Sequence, residues 1–153
     1  MSAIGDFRKD FTAEPEKIPV SADIIIAGDN TYTLYVNGKL IGQGNNWQVA
    51  QGYCVELTPQ AGCTTVFAVA VQNGGTAPNP AALITAISVN YNDGTSSMIV
   101  SDDSWRANSE TAGFENPDFN DSTWPYAVVV GNLNSPPWSP NYPTVPAPVK
   151  CQK

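Results

Sequence analysis

Turn-forming residues interrupt this 153-residue sequence throughout, and their spacing is the feature that most limits its fold. Turn signals at intervals of about eight to twelve residues are typical of all-β sandwiches and barrels. No stretch of about ten residues carries the i, i+3, i+4, i+7 apolar repeat of an amphipathic helix without glycine, proline or β-branched crowding. The sequence therefore predicts an all-β fold, a single antiparallel β-sandwich.

The clearest turn is Asn37-Gly38, which separates the apolar-alternating segments 31–36 and 39–41. Asn-Gly is the strongest short-range hairpin signal, because a type I′ turn needs positive φ at both central residues. We expect residues 1–138 to form one domain and the proline-rich residues 139–153 to form a tail. Further strands are predicted over residues 7–12, 22–27, 53–57, 64–72, 82–91 and 97–101.

The composition excludes several classes of function. The chain has no histidine, which rules out Ser-His-Asp triads, imidazole bases and histidine zinc sites. Seven basic residues stand against 14 acidic ones, a net charge of −7, so a nucleic-acid partner is not expected. The longest apolar runs are far too short to cross a bilayer, so membrane insertion is not expected either.

The three cysteines do not form a Cys-x-x-Cys pair, which argues against a zinc ribbon or thioredoxin-like chemistry. Cys54 and Cys63 flank a turn and are the predicted disulfide partners, which leaves Cys151 unpaired in the tail. Low charge with abundant threonine, serine, asparagine and glycine is typical of secreted proteins, so we expect an extracellular protein. If the initial methionine is the native start, the chain is expected to be cytosolic.

Seven short segments follow one another in a specific order along the chain. They are FRKDF at 7–11, AGDNTYTLYVNGK at 27–39, VAVQN at 69–73, AALI at 81–84, DG at 93–94, SDDSW at 101–105 and DFNDSTW at 118–124. Their order resembles the galactose-binding-domain-like jelly rolls, which occur in α-L-rhamnosidases and at the front of many β-galactosidases. The resemblance extends over residues 7–138 and includes stand-alone fungal lectin-like proteins. It implies a jelly-roll topology and a carbohydrate-binding role.

Three polar loops, 28–30, 44–47 and 73–80, are predicted to gather at one end of such a sandwich. Together they supply a carboxylate, several carboxamides and an indole, and a sugar needs paired hydrogen-bonding groups beside an aromatic platform. Neutral polar groups on fixed loops suit an uncharged ligand. The same residues also have structural interpretations: Asp29 and Asn30 as turn formers, Trp47 as a packed rim residue, and Asn73 as a strand end.

In the rhamnose-binding modules of the family, an Asp-Asn pair before the Tyr-x-Leu-Tyr-Val-Asn-Gly strand holds calcium and sugar. A downstream tryptophan, and an asparagine followed five residues later by proline, complete the pocket. The resemblance implies Asp29 and Asn30 as ligands of Ca²⁺, a sparse site of the weak extracellular kind. The sugar-binding residues that we predict are Asp29, Asn30, Asn46, Trp47, Asn73 and Pro78.

We therefore predict a non-catalytic lectin or carbohydrate-binding module for L-rhamnose, with galactose-type sugars second, assisted by calcium. The alternative is a β-sandwich protein-interaction module without a sugar pocket. An enzyme is not expected, because a glycosidase needs two facing carboxylates and the residue pattern indicates none. The expected partner is a mono- or oligosaccharide, and assembly into a homo-oligomer would supply multivalency.

Overall fold

The computed structural model describes residues 3–74, 81–129, 131 and 151. These residues form nine β-strands and contain no helix. Among them there is therefore no helix that is long and apolar enough to cross a membrane. The strands are β1 (Ala3–Thr12), β2 (Pro19–Asp29), β3 (Thr31–Val36), β4 (Lys39–Gly44), β5 (Gln51–Glu56), β6 (Thr64–Asn73), β7 (Ala82–Tyr91), β8 (Ser96–Val100) and β9 (Arg106–Ser109).

The strands form two sheets that pack face to face. Sheet A has the order β4-β3-β6-β1-β9, and sheet B has the order β5-β2-β7-β8. Each pairing between described strands is antiparallel. The predicted all-β sandwich is confirmed, and its strand order is consistent with a jelly roll.

The core lies between the two sheets because successive side chains of a strand point to opposite faces. In β6, Phe67, Val69 and Val71 are fully buried and face sheet B. Ile24 and Ile26 of β2 lie in the same buried cluster and come from the opposite sheet. The outer face of β6 carries Ala68 and Ala70 instead.

The predicted Asn-Gly hairpin is confirmed. Asn37 has a φ of 49° and Gly38 a φ of 82°, and Val36 pairs with Lys39 across the turn. The Asn37 Oδ1 also accepts the backbone N–H of Val66 at 2.8 Å, which ties the turn to β6. This turn lies at the end of the sandwich opposite to the loops described below.

The predicted cysteine pairing is wrong. Cys54 forms a disulfide with Cys151, with a Cα–Cα distance of 5.0 Å, and Cys63 is free. The reason is that Cys54 lies on the outer face of sheet B, opposite Asp23, and so faces away from sheet A. The carbonyl of Cys63 accepts the N–H of Ala13 at 3.1 Å, next to β1 of sheet A.

Several strands are longer than predicted, because pairing with neighbouring strands continues past the apolar segments. β1 begins at Ala3, β2 spans Pro19–Asp29, β5 begins at Gln51, and β4 continues to Gly44, into the segment predicted as a loop. β9 was not predicted from the sequence. The predicted proline-rich tail lies outside the described residues apart from Cys151, so the predicted domain boundary at residue 138 stays a prediction.

Candidate functional site

Three connections between strands start and end at one end of the sandwich, which we call the rim. The Asp29-Asn30 turn joins β2 to β3, residues 45–50 join β4 to β5, and the connection from β6 to β7 leaves at residue 74 and returns at residue 81, with residues 75–80 outside the described part. The strand ends that carry these connections are cross-strand partners: Asp29 with Ala82, Thr31 with Gln72, and Tyr32 with Gly44. The pairing therefore brings the described ends of the three predicted loops to the same end of the molecule.

Asp29 ends β2 and offers an open acceptor at the rim. Its side chain is half-buried, and burial raises the pKa of its carboxyl group above the ordinary value. Within the described residues, no donor forms a hydrogen bond to this carboxylate. A partly desolvated carboxylate without a protein partner has strong unused hydrogen-bonding capacity, which an incoming donor or cation can use.

Asn30 fastens the turn to β6. Its backbone N–H donates to the carbonyl of Gln72 at 2.9 Å, and its Oδ1 accepts the N–H of Gly74 at 2.9 Å. The Asp29-Asn30 peptide bond is cis. These two hydrogen bonds agree with the interpretation of Asn30 as a turn former. The side-chain amide still has a second oxygen lone pair and its NH₂ group with which to bind a ligand.

Asn73, the last residue of β6, follows Gln72 directly and pairs with Ala3 of β1. It is only 4% exposed, so its side chain belongs to the base of the rim. Pro78, predicted as the edge of the pocket, lies outside the described residues.

Asn46 forms the turn that presents Trp47. The Asn46 Oδ1 accepts the N–H of Gln48 at 3.0 Å, and the Asn46 carbonyl accepts the N–H of Val49 at 3.1 Å. An asparagine that bonds the backbone two residues on forms an Asx turn. Trp47 is half-buried in this turn, at the rim end between β4 and β5.

A cluster that the sequence analysis missed lies beside this loop. The hydroxyl of Tyr32 lies 2.9 Å from that of Tyr53, and both hydroxyls bond the side-chain oxygen of Gln51. Burial, followed by the hydrogen bond with Tyr53, raises the pKa of Tyr32, so its phenol stays protonated. The cluster links sheet A to sheet B directly below residues 45–50.

The sequence contained a signal for this cluster, because β4 has glycine at two alternate positions, Gly42 and Gly44. A Cβ on Gly44 would overlap the Tyr32 ring, and a Cβ on Gly42 would overlap the Tyr53 ring. Glycine inside a strand often marks the close approach of another group. Here that group is an aromatic ring at each position.

The oxygen atoms at the rim are of the kind that bind a calcium ion weakly. Ca²⁺ takes carboxylate, amide and carbonyl oxygens, and Asp29 with Asn30 supplies the first two kinds. Among the described residues, three side chains of the kinds that bind metals lie close together at a different place, at Asp23, Cys54 and Cys151. Two of these three, Cys54 and Cys151, are joined in the disulfide. An ion at the rim would therefore rely on one carboxylate and neutral oxygens.

No protein-family model matches the chain, and neither does any curated protein. Two solved structures of a lectin from Pleurotus ostreatus, one in complex with GalNAc and one in the apo form, are 36% identical to it with a TM-score of 0.84. The match covers 95% of this chain and 42% of the lectin chain, so the chain spans about two-fifths of that lectin's length.

An α-L-rhamnosidase from Streptomyces avermitilis, complexed with L-rhamnose, is 26% identical with a TM-score of 0.72. That match covers 92% of this chain but 14% of the enzyme. A rhamnosidase from Bacillus sp. GL1 is 23% identical to this chain, with a TM-score of 0.73. The match covers 93% of this chain and 18% of the enzyme, and at this identity it shows only that the fold is shared. The chain has a galactose-binding-like fold. The resemblance to rhamnosidase modules is confirmed, and the chain corresponds to a small part of those enzymes.

Proposed function

We propose that the chain is a non-catalytic sugar-binding domain, a lectin, whose site is the rim. The observation that carries the proposal is the open, half-buried carboxylate of Asp29, next to Asn30 and at the same end of the sandwich as the connection that carries Trp47. Sugar hydroxyls need such acceptors, and the apolar face of a sugar ring packs on an aromatic side chain. The likeness to the Pleurotus ostreatus lectin and to a rhamnosidase domain supports the same conclusion.

In the proposed site, Asp29 accepts hydrogen bonds from sugar hydroxyls, directly or through Ca²⁺, and Asn30 contributes its amide. Trp47 stacks on the ring, Asn73 forms the base of the pocket wall, and the amide NH₂ of Asn46 donates at the edge. The candidate sugars are L-rhamnose and galactose-type residues, with GalNAc among them. Because the neighbouring crystal structures contain two different sugars, the panel below includes both classes.

A binding role is preferred to catalysis because the chain matches the two lectin structures over 95% of its own length, whereas it covers only 14% of the Streptomyces avermitilis rhamnosidase. An extracellular location is also part of the proposal, since a disulfide such as Cys54–Cys151 persists in oxidising compartments.

Calorimetric titration with L-rhamnose, galactose and GalNAc tests the proposal. We expect saturable binding of at least one sugar, and a loss of at least about tenfold in affinity in Trp47→Ala and in Asp29→Asn. The matched controls are Tyr126→Ala, an exposed aromatic, and Asp118→Asn, an exposed carboxylate near the Asn37-Gly38 turn at the opposite end. These variants should bind as the wild type does.

The same titration with a chelator tests calcium separately. If the ion bridges Asp29 to the sugar, affinity falls in the chelator and returns with added Ca²⁺. Unchanged affinity in the chelator removes the metal and leaves the lectin proposal intact. Flat titrations with every sugar of the panel contradict the lectin proposal and favour a protein-interaction module.

A further inference from the structure

A groove of about 610 Å³ lies on the outer face of sheet A, next to the rim. The registers of β3, β6 and β1 arrange its floor in cross-strand rows. The first row, nearest the rim, is Thr31, Gln72 and Ile4; the second is Thr33, Ala70 and Asp6; the third is Tyr35, Ala68 and Arg8. A volume of this size lies within the range of about 300–1,000 Å³ of small-molecule sites.

The segment 110–127, which folds back over sheet A, covers the third row and Asp6 of the second row. The other members of the first two rows stay at least partly exposed. The ring of Phe114 meets the ring of Tyr35 edge to face at a centroid distance of 6.0 Å. Ala68 is fully buried under Phe114 and Trp124, whereas Ala70 is only partly buried. Residues 110–115 therefore form one wall of the groove, and a small alanine forms its floor.

The groove is continuous with the rim. Its first row contains Thr31, which follows Asn30, and Gln72, whose carbonyl accepts the Asn30 N–H at 2.9 Å. Asn73 follows Gln72 in β6. The groove therefore begins at the residues that hold Asn30 at the rim.

The lining of the groove is polar and acidic. It contains the hydroxyls of Thr31, Thr33 and Thr111 and the amide of Gln72, which can donate to and accept from sugar hydroxyls. It also contains three carboxylates, those of the exposed Glu110, the half-buried Glu115 and the buried Asp6. Among the residues that the structure describes, no lysine or arginine lines the groove. Such a lining accepts hydrogen bonds from neutral hydroxyl groups and repels anions.

We propose that this groove extends the rim site and binds the next sugar residues of an uncharged oligosaccharide whose terminal residue occupies the rim. The inference rests on the proposed function. With this groove, the chain prefers oligosaccharides to single sugars and binds acidic glycans less tightly than neutral ones.

The test compares ligands of different length and charge on the full chain. The probes are L-rhamnose and galactose, a neutral trisaccharide that carries each of them at its non-reducing end, and the same trisaccharides with glucuronic acid as the reducing-end residue. We expect each rim-binding neutral trisaccharide to bind about tenfold more tightly than its monosaccharide. The acidic trisaccharide should lose most of this gain.

Two variants locate the gain in the groove. Ala70→Leu fills the floor of the second row and should abolish the advantage of the trisaccharide while the affinity for the monosaccharide stays within about twofold. Ser96→Leu, an equally bulky change at an exposed residue of β8, is the matched control and should keep the advantage. Glu110→Lys, at an exposed residue, should improve binding of the acidic trisaccharide relative to the neutral one, independently of any effect of Ala70→Leu on folding.

The two ways of failing are distinguishable. Equal affinities of the wild type for monosaccharide and trisaccharide overturn the groove proposal and leave the rim site standing. No binding of any probe overturns the proposed function, and this inference with it.

Discussion

The pKa of the Asp29 carboxyl, raised by burial, makes sugar binding sensitive to acid in the proposed site. A carboxyl group with a raised pKa becomes neutral at a higher pH than an ordinary aspartate, and the neutral form is a weaker acceptor and a poor calcium ligand. We expect sugar affinity to fall as the pH decreases, with a midpoint above 3.8, the ordinary value. Calorimetry in steps from pH 7 to pH 4 measures this.

Asp118→Asn is the control for this experiment and should follow the wild-type curve. Asp29→Asn should bind weakly with no such midpoint, since the titrating group is gone. Wild-type affinity that stays constant down to pH 4 would exclude a role for the charged form of Asp29.

Asp6 should make the fold itself pH-dependent. Burial raises its pKa to about 6, repulsion from Glu110 and Glu115 adds to the rise, and the hydrogen bond from the Thr111 N–H at 2.7 Å opposes it. The folded state therefore holds the proton more tightly than the unfolded state, in which the pKa is near 3.8. The resulting stabilisation is complete below that value and is lost as the pH rises through about 6.

The variant Asp6→Asn isolates this contribution, since the amide oxygen can still accept the Thr111 N–H. Urea unfolding at pH 4, 5, 6 and 7 should show that the wild type loses stability relative to the variant as the pH rises. Parallel stability curves for the two proteins would show that Asp6 does not titrate in this window. Asp118→Asn, an exposed carboxylate, should run parallel to the wild type.

Single residues were predictable from the sequence where their role is local. The Gly-Asp-Asn-Thr segment predicted the turn at Asp29 and Asn30, and Asn37-Gly38 predicted the hairpin turn between β3 and β4. The cluster of Tyr32, Gln51 and Tyr53 was not predictable in the same way, because it joins two sheets. Its contacts depend on how the sheets stack, which local sequence does not encode.

At the level of elements, the predicted strands correspond to strands of the structure because each carries an alternating or buried apolar pattern with turn residues at its ends. β9 was not predicted because its four residues, Arg106–Ser109, have no alternating or buried apolar pattern. It is a strand because β1, about 100 residues earlier in the chain, supplies its hydrogen-bonding partner. Non-local pairing of this kind is not visible in a local window of sequence.

The segment 110–127 is held on sheet A by Arg8, whose side chain is completely buried. Its guanidinium donates to the carbonyl of Phe114 at 2.8 Å, to the carbonyl of Asn116 at 3.0 Å and to the carboxylate of Asp121 at 2.7 Å. The planar guanidinium can serve three acceptors at once because its donors have fixed directions. Arg8 therefore secures the segment that forms one wall of the groove.

Arg8→Lys tests this role because lysine keeps the charge but cannot reproduce the three directed bonds. We expect a loss of about 2–4 kcal/mol in the free energy of unfolding, since hydrogen bonds to charged groups are lost in a buried site. Urea midpoints at constant m-value give the measurement. The control is Lys39→Arg, a change between the same residue types at an exposed position of β4, which should be neutral. A neutral effect of Arg8→Lys would show that the segment is held mainly by its aromatic packing.

At the scale of the whole molecule, the disulfide connects β5 to a residue 97 positions later in the chain. A cross-link of this kind stabilises a protein mainly by restricting the unfolded chain, and the effect grows with the length of the closed loop. A Cys54–Cys63 bridge would instead close a short loop and have a smaller effect. The two pairings therefore predict different consequences for the stability of the whole fold.

Removing Cys151 should lower the free energy of unfolding by about 2–4 kcal/mol, whereas Cys63→Ser should leave it nearly unchanged. The oxidised wild type, unfolded in denaturant without reductant, should show one reactive thiol, that of Cys63, and the reduced protein should show all three. If Cys63→Ser destabilises the protein and Cys151→Ser does not, the pairing is Cys54–Cys63. The end of the chain would then be untethered from sheet B, and the stability of the sandwich would rest on the packing between its two sheets.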